Sequence, residues 1–136
     1  MSKKAVKLWV KSSLFVVAYF AIIIILQTVA MKNANASDWS QVDTQRQAAY
    51  LVLHAADWRQ TRTIAKDDRF VEVNPILGPE PSTGEVDRYF LATALLHTAI
   101  AYNLSPEWRK GFQYVTIGVQ ATAVGHNYRL GVKFDW

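Results

Sequence analysis

The strongest hydrophobic pattern in the chain is an uninterrupted apolar run near the N-terminus. Residues 14–26 are all apolar, and they lie within twenty uncharged residues between Lys11 and Lys32. Twenty residues of α-helix extend about 30 Å, which matches the hydrocarbon core of a bilayer. The pattern predicts that residues 1–36 are a hydrophobic signal sequence or membrane anchor.

Two interpretations of this leader stay open. In the first, the small-residue site Ala34-Asn35-Ala36 follows the apolar run, and the leader is a cleaved secretory signal. In the second, the run stays in the membrane, and the lysines before it hold the N-terminus in the cytoplasm. Lys32, between the run and the cleavage site, favours the anchor. Both interpretations predict the inner membrane or the periplasm of a Gram-negative bacterium.

The rest of the chain, residues 37–136, has the pattern of an all-α body. Helices are predicted at about 39–65, 83–103 and 106–128, and a loop with three prolines at 66–81 separates the first two. Ser82 and Glu85 fit a capping box at the second helix, and Ser105 is predicted to cap the third, with Pro106 in its first turn. The short connection between these two helices predicts a C-terminal helical hairpin.

Three glycines recur in the third predicted helix at a spacing of seven: Gly111, Gly118 and Gly125. Seven residues are close to two helical turns, so the three glycines form one stripe. Each glycine costs about 1 kcal/mol of helix propensity, which is easiest to understand where another helix approaches closely. The stripe predicts a helix contact, within the hairpin or with a partner.

The distribution of charge excludes one class of function. The net charge is +4 overall, but residues 1–36 carry five lysines and no acid, whereas residues 37–136 carry ten basic against eleven acidic residues. The body therefore has a net charge of −1 and no basic excess with which to bind phosphates, so we expect no nucleic-acid partner. The chain also has no cysteine, which excludes disulfides and thiol chemistry.

A four-span membrane protein with an internal polar site is one alternative for the whole chain. The second and third predicted helices contain uncharged stretches of eighteen residues, 89–106 and 111–128, with aromatic residues near their ends. The first body helix argues against spanning, because Asp43, Arg46 and Asp57 would lie at membrane depth.

A metal site is a second alternative. The only histidines, His54, His97 and His126, are distributed one to each predicted helix, and Asp57 shares a helical face with His54. Imidazole and carboxylate groups from facing helices are the usual ligands of metal sites in helical bundles. The set could hold a divalent metal and serve a metal-binding module or a metal-dependent hydrolase. The competing interpretation is a buried network of hydrogen-bonded polar side chains.

The proline-rich loop contains Glu72, Asn74 and Pro75, for which we predict a structural role. Asn74-Pro75 fits an Asx-type turn that ends the connection from the first helix and directs the chain to the second helix. Glu72 could also supply an oxygen ligand. The sequence contains no nucleophile elbow, P-loop or dinucleotide-binding glycine pattern, so an enzyme is less favoured than a non-enzymatic protein.

Several of these positions together resemble a known pattern. Asp57-x-x-Gln60-Thr61, Glu72-x-Asn74-Pro75-x-Leu77-Gly78 and His126-Asn127-Tyr128 resemble segments of small bacterial and phage envelope proteins of unknown function. The resemblance covers roughly residues 39–134. It implies an envelope location, and a phage origin fits it, but it brings no activity.

The leading hypothesis from the sequence is a non-enzymatic helical envelope protein, secreted or anchored through its leader. Its expected partners are membrane lipid and either a second copy of the chain or another envelope protein. In this hypothesis the body acts by packing against itself or against that partner.

Overall fold

The computed structural model describes residues 38–132, which fold into three α-helices and contain no β-strand. Helix α1 is Gln41–Ile64, α2 is Thr83–Asn103 and α3 is Pro106–Arg129. The all-α prediction is therefore confirmed for this part of the chain. The predicted signal or anchor at residues 1–36 and the end of the C-terminal tail at 133–136 lie outside the described residues.

The beginnings of the helices follow from local side-chain chemistry. Ser40 caps α1 and Ser82 caps α2, and each serine forms a reciprocal capping box with the acid three residues later, Asp43 or Glu85. These bonds satisfy backbone N–H groups that have no partner within the helix. Ser105 stands before α3 without a side-chain cap bond, and proline follows as the first helical residue.

The helices form an up-down-up bundle in which α1 and α3 run parallel. Asp43 lies near Gln113 and Asp57 lies near Asn127, so both helices advance in the same direction. Helix α2 runs antiparallel to both. The contacts of α1 with α3 are more extensive than those between α2 and α3. Helices α2 and α3 are therefore connected as the predicted hairpin, but each packs more extensively against α1 than against the other.

The interior of the bundle is unusually polar. Arg109, Gln113 and Gln60 are fully buried at 0% exposure. Other polar side chains that are at least nine-tenths buried are Asp43, Gln47, His54, Thr61, Glu72 and His97. Buried apolar side chains such as Val86, Phe90 and Leu104 are fewer and lie among them. Since buried polar groups need hydrogen-bond partners, the packing of this bundle depends on its hydrogen bonds.

The outer faces of the same helices carry many large apolar side chains among their exposed polar residues. Large apolar side chains that point outward occur on each helix: Val42, Leu51 and Val52 on α1, Leu91, Leu95 and Leu96 on α2, and Tyr114, Val115 and Val119 on α3. Each described helix therefore exposes a group of large apolar side chains of the kind that a water-soluble bundle usually buries. None of the three described helices is both long enough and apolar enough to cross a membrane, which is what the four-span alternative required of them.

The glycine stripe of α3 meets no other helix of the described chain. Gly111, Gly118 and Gly125 are exposed, and a Cβ atom built on each would have no heavy atom within 4 Å. The predicted close contact is therefore not made within the hairpin. A contact through this stripe with a second molecule stays a prediction.

Candidate functional site

One end of the bundle is organised by the guanidinium of Arg109. The Nε of Arg109 donates to Ala101 O at 2.9 Å, and its Nη2 donates to Leu104 O at 2.8 Å. Its Nη1 donates to Asp43 Oδ2 at 3.2 Å and to Asp38 O at 3.1 Å. Arg109 thus satisfies carbonyl groups at the C-terminal end of α2, where the helix has acceptors without partners.

The carboxylate of Asp43 is shared by three groups at this end. It forms ion pairs with Arg109 and Arg46, and it also accepts from the backbone N–H of Ser40. Burial opposes ionisation of Asp43, but the bonds from Ser40, Arg109 and Arg46 outweigh it, and the pKa of Asp43 lies below its ordinary value. We call Asp43, Arg46, Arg109 and Gln113 the Arg109 cluster.

Gln113 closes the Arg109 cluster toward the centre of the bundle. Its Oε1 accepts from Arg46 Nε at 2.9 Å, and its Nε2 donates to Asp43 O at 3.1 Å. Among the described residues, no buried side-chain atom of the cluster lacks a hydrogen-bond partner. The buried carboxylate of this cluster therefore has cationic partners, and its buried polar atoms are hydrogen-bonded.

A column of aromatic rings fills the middle of the bundle. Its rings follow in the order Phe112, His97, Tyr50, His54, Phe90 and Trp58, with centroid separations from 3.5 to 6.2 Å. Members of the column come from all three helices. The column therefore joins the helices through ring stacking where the polar ends do not reach.

Hydrogen bonds orient both histidines of the column, and burial favours their neutral form. Gln47 Nε2 can only donate, so Nδ1 of His97 accepts from it at 3.1 Å, and the ring proton lies on Nε2, 2.8 Å from Thr116 Oγ1. Phe90 O can only accept, so Nε2 of His54 donates to it at 3.0 Å. Burial lowers the pKa of His97 to about 4 and also lowers the pKa of His54.

The other end of the bundle holds a carboxylate that is bound only by amides. Asp57 Oδ1 accepts from Asn127 Nδ2 and Asp57 Oδ2 accepts from Gln120 Nε2, both at 3.2 Å. Burial, with a smaller contribution from the charge of Glu72, raises the pKa of Asp57 to about 6, although the bond from Gln120 opposes the rise. No ion pair joins Asp57 to a cation among residues 38–132.

Glu72 reaches the same end from the proline-rich loop. Its Oε1 accepts from Asn74 N at 2.7 Å, and its backbone N–H donates to Pro79 O at 3.2 Å. Asn74 Oδ1 in turn accepts from Ile76 N at 3.0 Å, which is an Asx turn. The loop therefore holds the carboxylate of Glu72 in a fixed orientation.

Two buried oxygen atoms at this end have no hydrogen-bond partner. They are Glu72 Oε2 and Gln60 Oε1. The amide nitrogen of Gln60 donates to Val124 O at 3.3 Å and to Val132 O at 3.4 Å, so its oxygen is directed away from these carbonyls. We call Asp57, Gln60, Glu72, Gln120 and Asn127 the Asp57 cluster. Buried acceptors without a donor are costly, and in native proteins they often mark a binding site.

A cavity of about 310 Å³ lies beside the Asp57 cluster. Its walls are mostly apolar, with Ile64, Phe70 and Val132 among them. Its polar lining residues are Arg69, Glu72, His126 and Asn127. An apolar cavity of this size with a few convergent polar groups has the usual composition of a small-molecule site. This end of the bundle is therefore the candidate functional site.

The four residues predicted as metal ligands are not brought together. His54 and His97 lie in the aromatic column with their ring nitrogens hydrogen-bonded to protein atoms, Asp57 is bound by amides, and His126 is exposed at the cavity. Within residues 38–132, no three histidine or acidic side chains converge as a metal site requires. The geometry corresponds to the alternative interpretation of His54, His97 and Asp57 as a buried polar network.

Sequence reasoning missed the residues that matter most at the Arg109 end. Arg109 and Gln113 received no role, although one signal pointed to Arg109. A basic residue in the first turn of a helix is disfavoured by the helix dipole, so it requires an acceptor from elsewhere. Asn127 and Gln60 did appear in the pattern of resemblance, without an assigned contact.

Comparison with known proteins adds no relative to this picture, since no protein family, no curated protein and no solved structure matches the chain.

Proposed function

We propose that this chain is a non-enzymatic, membrane-associated helical envelope protein whose apolar helix faces lie against lipid. One observation carries the proposal: many polar side chains are buried in the interior of the bundle, and large apolar side chains are exposed on the outer face of each helix. This distribution is opposite to that of a bundle surrounded by water.

The energetics favour an apolar environment. In water, each exposed apolar side chain forgoes roughly 25 cal/mol for every Å² that could be buried, while the polar interior contributes little hydrophobic stabilisation. Against lipid, outward leucines and valines no longer contact water, and hydrogen bonds between the helices become the natural means of association. Leu95 is 66% exposed and Val119 is 58% exposed, so both would gain from such contact.

The charges of the chain are consistent with this arrangement. Helix α2 carries no charged side chain after Arg88, and α3 carries none between Lys110 and Arg129. The apolar faces of these two helices are thus free of charge over most of their length. The leader, with twenty uncharged residues and flanking lysines, would bring the bundle to the membrane.

Site-directed labelling tests the proposal directly, because the chain has no native cysteine. Full-length variants Leu95→Cys and Val119→Cys place a thiol on the apolar faces of α2 and α3. Glu80→Cys and Glu107→Cys serve as controls at exposed charged positions. In lipid vesicles, we expect a membrane-impermeant maleimide to label the control thiols quickly and the two apolar-face thiols slowly.

Denaturation in detergent supplies the reference for complete labelling. After denaturation, all four thiols should react at similar rates, which shows that the protection came from the folded protein in lipid. Equal labelling of Cys variants at positions 95 and 80 in intact vesicles would contradict the proposal.

Self-association is the second part of the proposal. The glycine stripe of α3 is open on its outer side, with no heavy atom within 4 Å of a Cβ built at any of its glycines. In an apolar environment, stripes of small residues allow the backbones of two helices to approach closely. Crosslinking of the full-length protein in vesicles measures this contact, and Gly118→Leu should reduce the dimer fraction.

A further inference from the structure

The described chain begins beside the connection between α2 and α3. The carbonyl oxygen of Asp38 accepts from Arg109 Nη1 at 3.1 Å, and Arg109 also donates to carbonyl groups at the end of α2. The ring of Trp39 lies 5.9 Å from the ring of Tyr102, and the guanidinium carbon of Arg109 lies 5.0 Å from the same Trp39 ring. The chain therefore joins the bundle at this end, next to the last turn of α2.

An exposed apolar face of α2 starts at the same place. Tyr102, Leu95 and Leu91 are exposed, and their spacings of seven and four residues place them on one side of the helix. We call these three residues the Leu95 face. Trp39 already contacts its Tyr102 end. The face thus extends from the point at which the leader joins the bundle toward the beginning of α2.

We propose that the leader packs as a fourth helix along the Leu95 face, with residues 12–31 parallel to α2. Both segments would run toward the end of the bundle that holds Asp38, because the leader is joined to Asp38 and α2 ends beside it. The inference rests on one part of the proposed function, that the leader stays attached to the bundle. It adds a specific occupant for the apolar surface of α2.

The lengths of the two segments agree. As a helix, residues 12–31 would extend about 30 Å, and the 21 residues of α2 extend about 31 Å. Residues 32–37 remain as the connection, and an extended connection of this length spans at most about 20 Å. It can join Asp38 to a helix that lies on the Leu95 face, but it is too short to reach the other end of the bundle.

The composition of both surfaces suits such a contact. The leader has no charged residue between Lys11 and Lys32, and α2 has none after Arg88. Residues 14–26 are all apolar, so every side of this part of the leader can pack against leucine. The contact would therefore bury apolar surface of both segments without burying a charge.

The short connection favours the leader over a second copy of the chain as the occupant. A segment that is joined to its site by a short linker has an effective concentration of about millimolar there. A second copy must reach the same face at its own, lower concentration in the membrane or in detergent. The leader should therefore occupy the Leu95 face first.

Cysteine crosslinking of the full-length chain tests the contact, because the chain has no native cysteine. Each variant carries Leu95→Cys together with a single cysteine at one of positions 20–27, which cover two turns of a leader helix. The protein is oxidised in detergent, and disulfides within one chain are identified by mass spectrometry of peptides. We expect reactive positions to recur every three or four residues, because only one side of the leader would face α2.

Val52→Cys replaces Leu95→Cys in the control series. Val52 is exposed on the outer side of α1, two residues from buried Tyr50 and two from buried His54, so a leader on the Leu95 face would not reach it. We expect the fastest disulfide of the Leu95 series to form about tenfold or more faster than any disulfide of the Val52 series. Circular dichroism of each variant verifies that the bundle is folded.

Three results would overturn the proposal. The first is equal rates of disulfide formation in the Leu95 and Val52 series. The second is faster crosslinking between mixed single-cysteine chains than within one chain, which would assign the Leu95 face to a second copy. The third is a mature protein whose mass corresponds to residues 37–136, because its leader would have been removed.

These results are distinguishable from failure of the lipid contact in the proposed function. Rapid maleimide labelling of Val119→Cys in vesicles would contradict contact between α3 and lipid. The crosslinks in detergent report only on the leader and α2, so they decide the present proposal whatever the labelling shows.

Discussion

The buried carboxylates at the two ends of the bundle have different kinds of partner. At the Arg109 cluster, two guanidinium groups meet the buried carboxylate of Asp43, and Gln113 bonds both Arg46 and the backbone of α1. At the Asp57 cluster, the carboxylates of Asp57 and Glu72 are bound only by amide groups, and two buried oxygen atoms have no partner.

This difference distinguishes buried polar side chains that stabilise the fold from those that lack a partner within it. A buried polar group that has all its partners can hold helices together, and removing any member is costly. A buried acceptor without a donor destabilises the fold unless a group from outside the chain, such as a water molecule or a ligand, donates to it. We therefore propose that the Arg109 end serves folding and that the Asp57 end is the place to look for binding.

Arg109→Met should produce the largest change and would test the structural assignment. It leaves the carboxylate of Asp43 with fewer partners and the carbonyls of Ala101 and Leu104 without a donor. We expect the free energy of unfolding to fall by about 3–5 kcal/mol, as for other broken buried ion pairs. Thermal unfolding followed by circular dichroism in detergent measures this loss.

Lys110→Met is the matched control for Arg109→Met. Lys110 is the next residue of α3 and is exposed, so its replacement should change the free energy of unfolding by less than about 0.5 kcal/mol. Similar losses in both variants would refute the structural assignment of the Arg109 cluster.

The stability of the fold should depend on pH through two buried groups, Asp57 at one end of the bundle and His97 in the aromatic column. The folded protein binds a proton at Asp57 below about pH 6, whereas the unfolded chain does so only near its ordinary pKa of 3.8. Asp57 therefore destabilises the fold as the pH rises through this interval. His97 acts oppositely, because the unfolded chain is protonated below about 6.5 and the folded protein only near 4. Each contribution amounts to about 3 kcal/mol.

Two variants separate these opposing contributions. Between pH 6.5 and 4, Asp57→Asn should lose stability with acidification, because the contribution of His97 is then no longer offset. His97→Gln should lose less over the same interval, or gain. Unfolding midpoints measured at several pH values give both slopes, and parallel slopes in the two variants would contradict the prediction.

Glu72→Gln should have a smaller effect, and of the opposite sign to Arg109→Met. The replacement removes a buried charge that has no cationic partner among the described residues and keeps the bond to Asn74 N. We expect the free energy of unfolding to rise by about 1 kcal/mol. A loss comparable to that of Arg109→Met would mean that the Asp57 end is structural as well.

Gly118→Ala, a substitution on the outer surface of α3, should change the free energy of unfolding least. Because a Cβ atom at Gly118 would meet no heavy atom within 4 Å, Gly118→Ala should raise the free energy of unfolding of the monomer by about 0.5–1 kcal/mol through helix propensity. Thermal unfolding at low protein concentration in detergent measures this gain. Destabilisation instead would show that another part of the chain packs on the stripe.

Local signals in the sequence predicted the helices well. Ser82 with Glu85 forms the expected capping box, and the prolines of the loop end where α2 begins. These features depend on residues within a few positions of one another, so the sequence contains the whole interaction. The hairpin prediction was less successful, because short connections fix the order of helices but not which pair packs most closely.

The candidate site could be predicted only in part. Asp57 was selected for its position beside His54 on a helical face, but its partners Gln120 and Asn127 come from another helix. Histidines on three helices suggested a metal site, yet the rotation of each helix about its axis directs His54 and His97 into the aromatic column and His126 to the surface. That rotation is set by packing, which no local spacing encodes.

By itself, the sequence determined the helical class, the capping box of α2, the position of the proline-rich loop and the separation of charge between leader and body. These properties follow from backbone preferences and short-range hydrogen bonds, which act over a few residues. The tertiary structure alone decided that the polar side chains face inward, that Arg109 meets Asp43 across 66 positions, and that Glu72 and Asn127 line one cavity. Such contacts depend on how three helices are packed and rotated, and that arrangement exists only once the chain has folded.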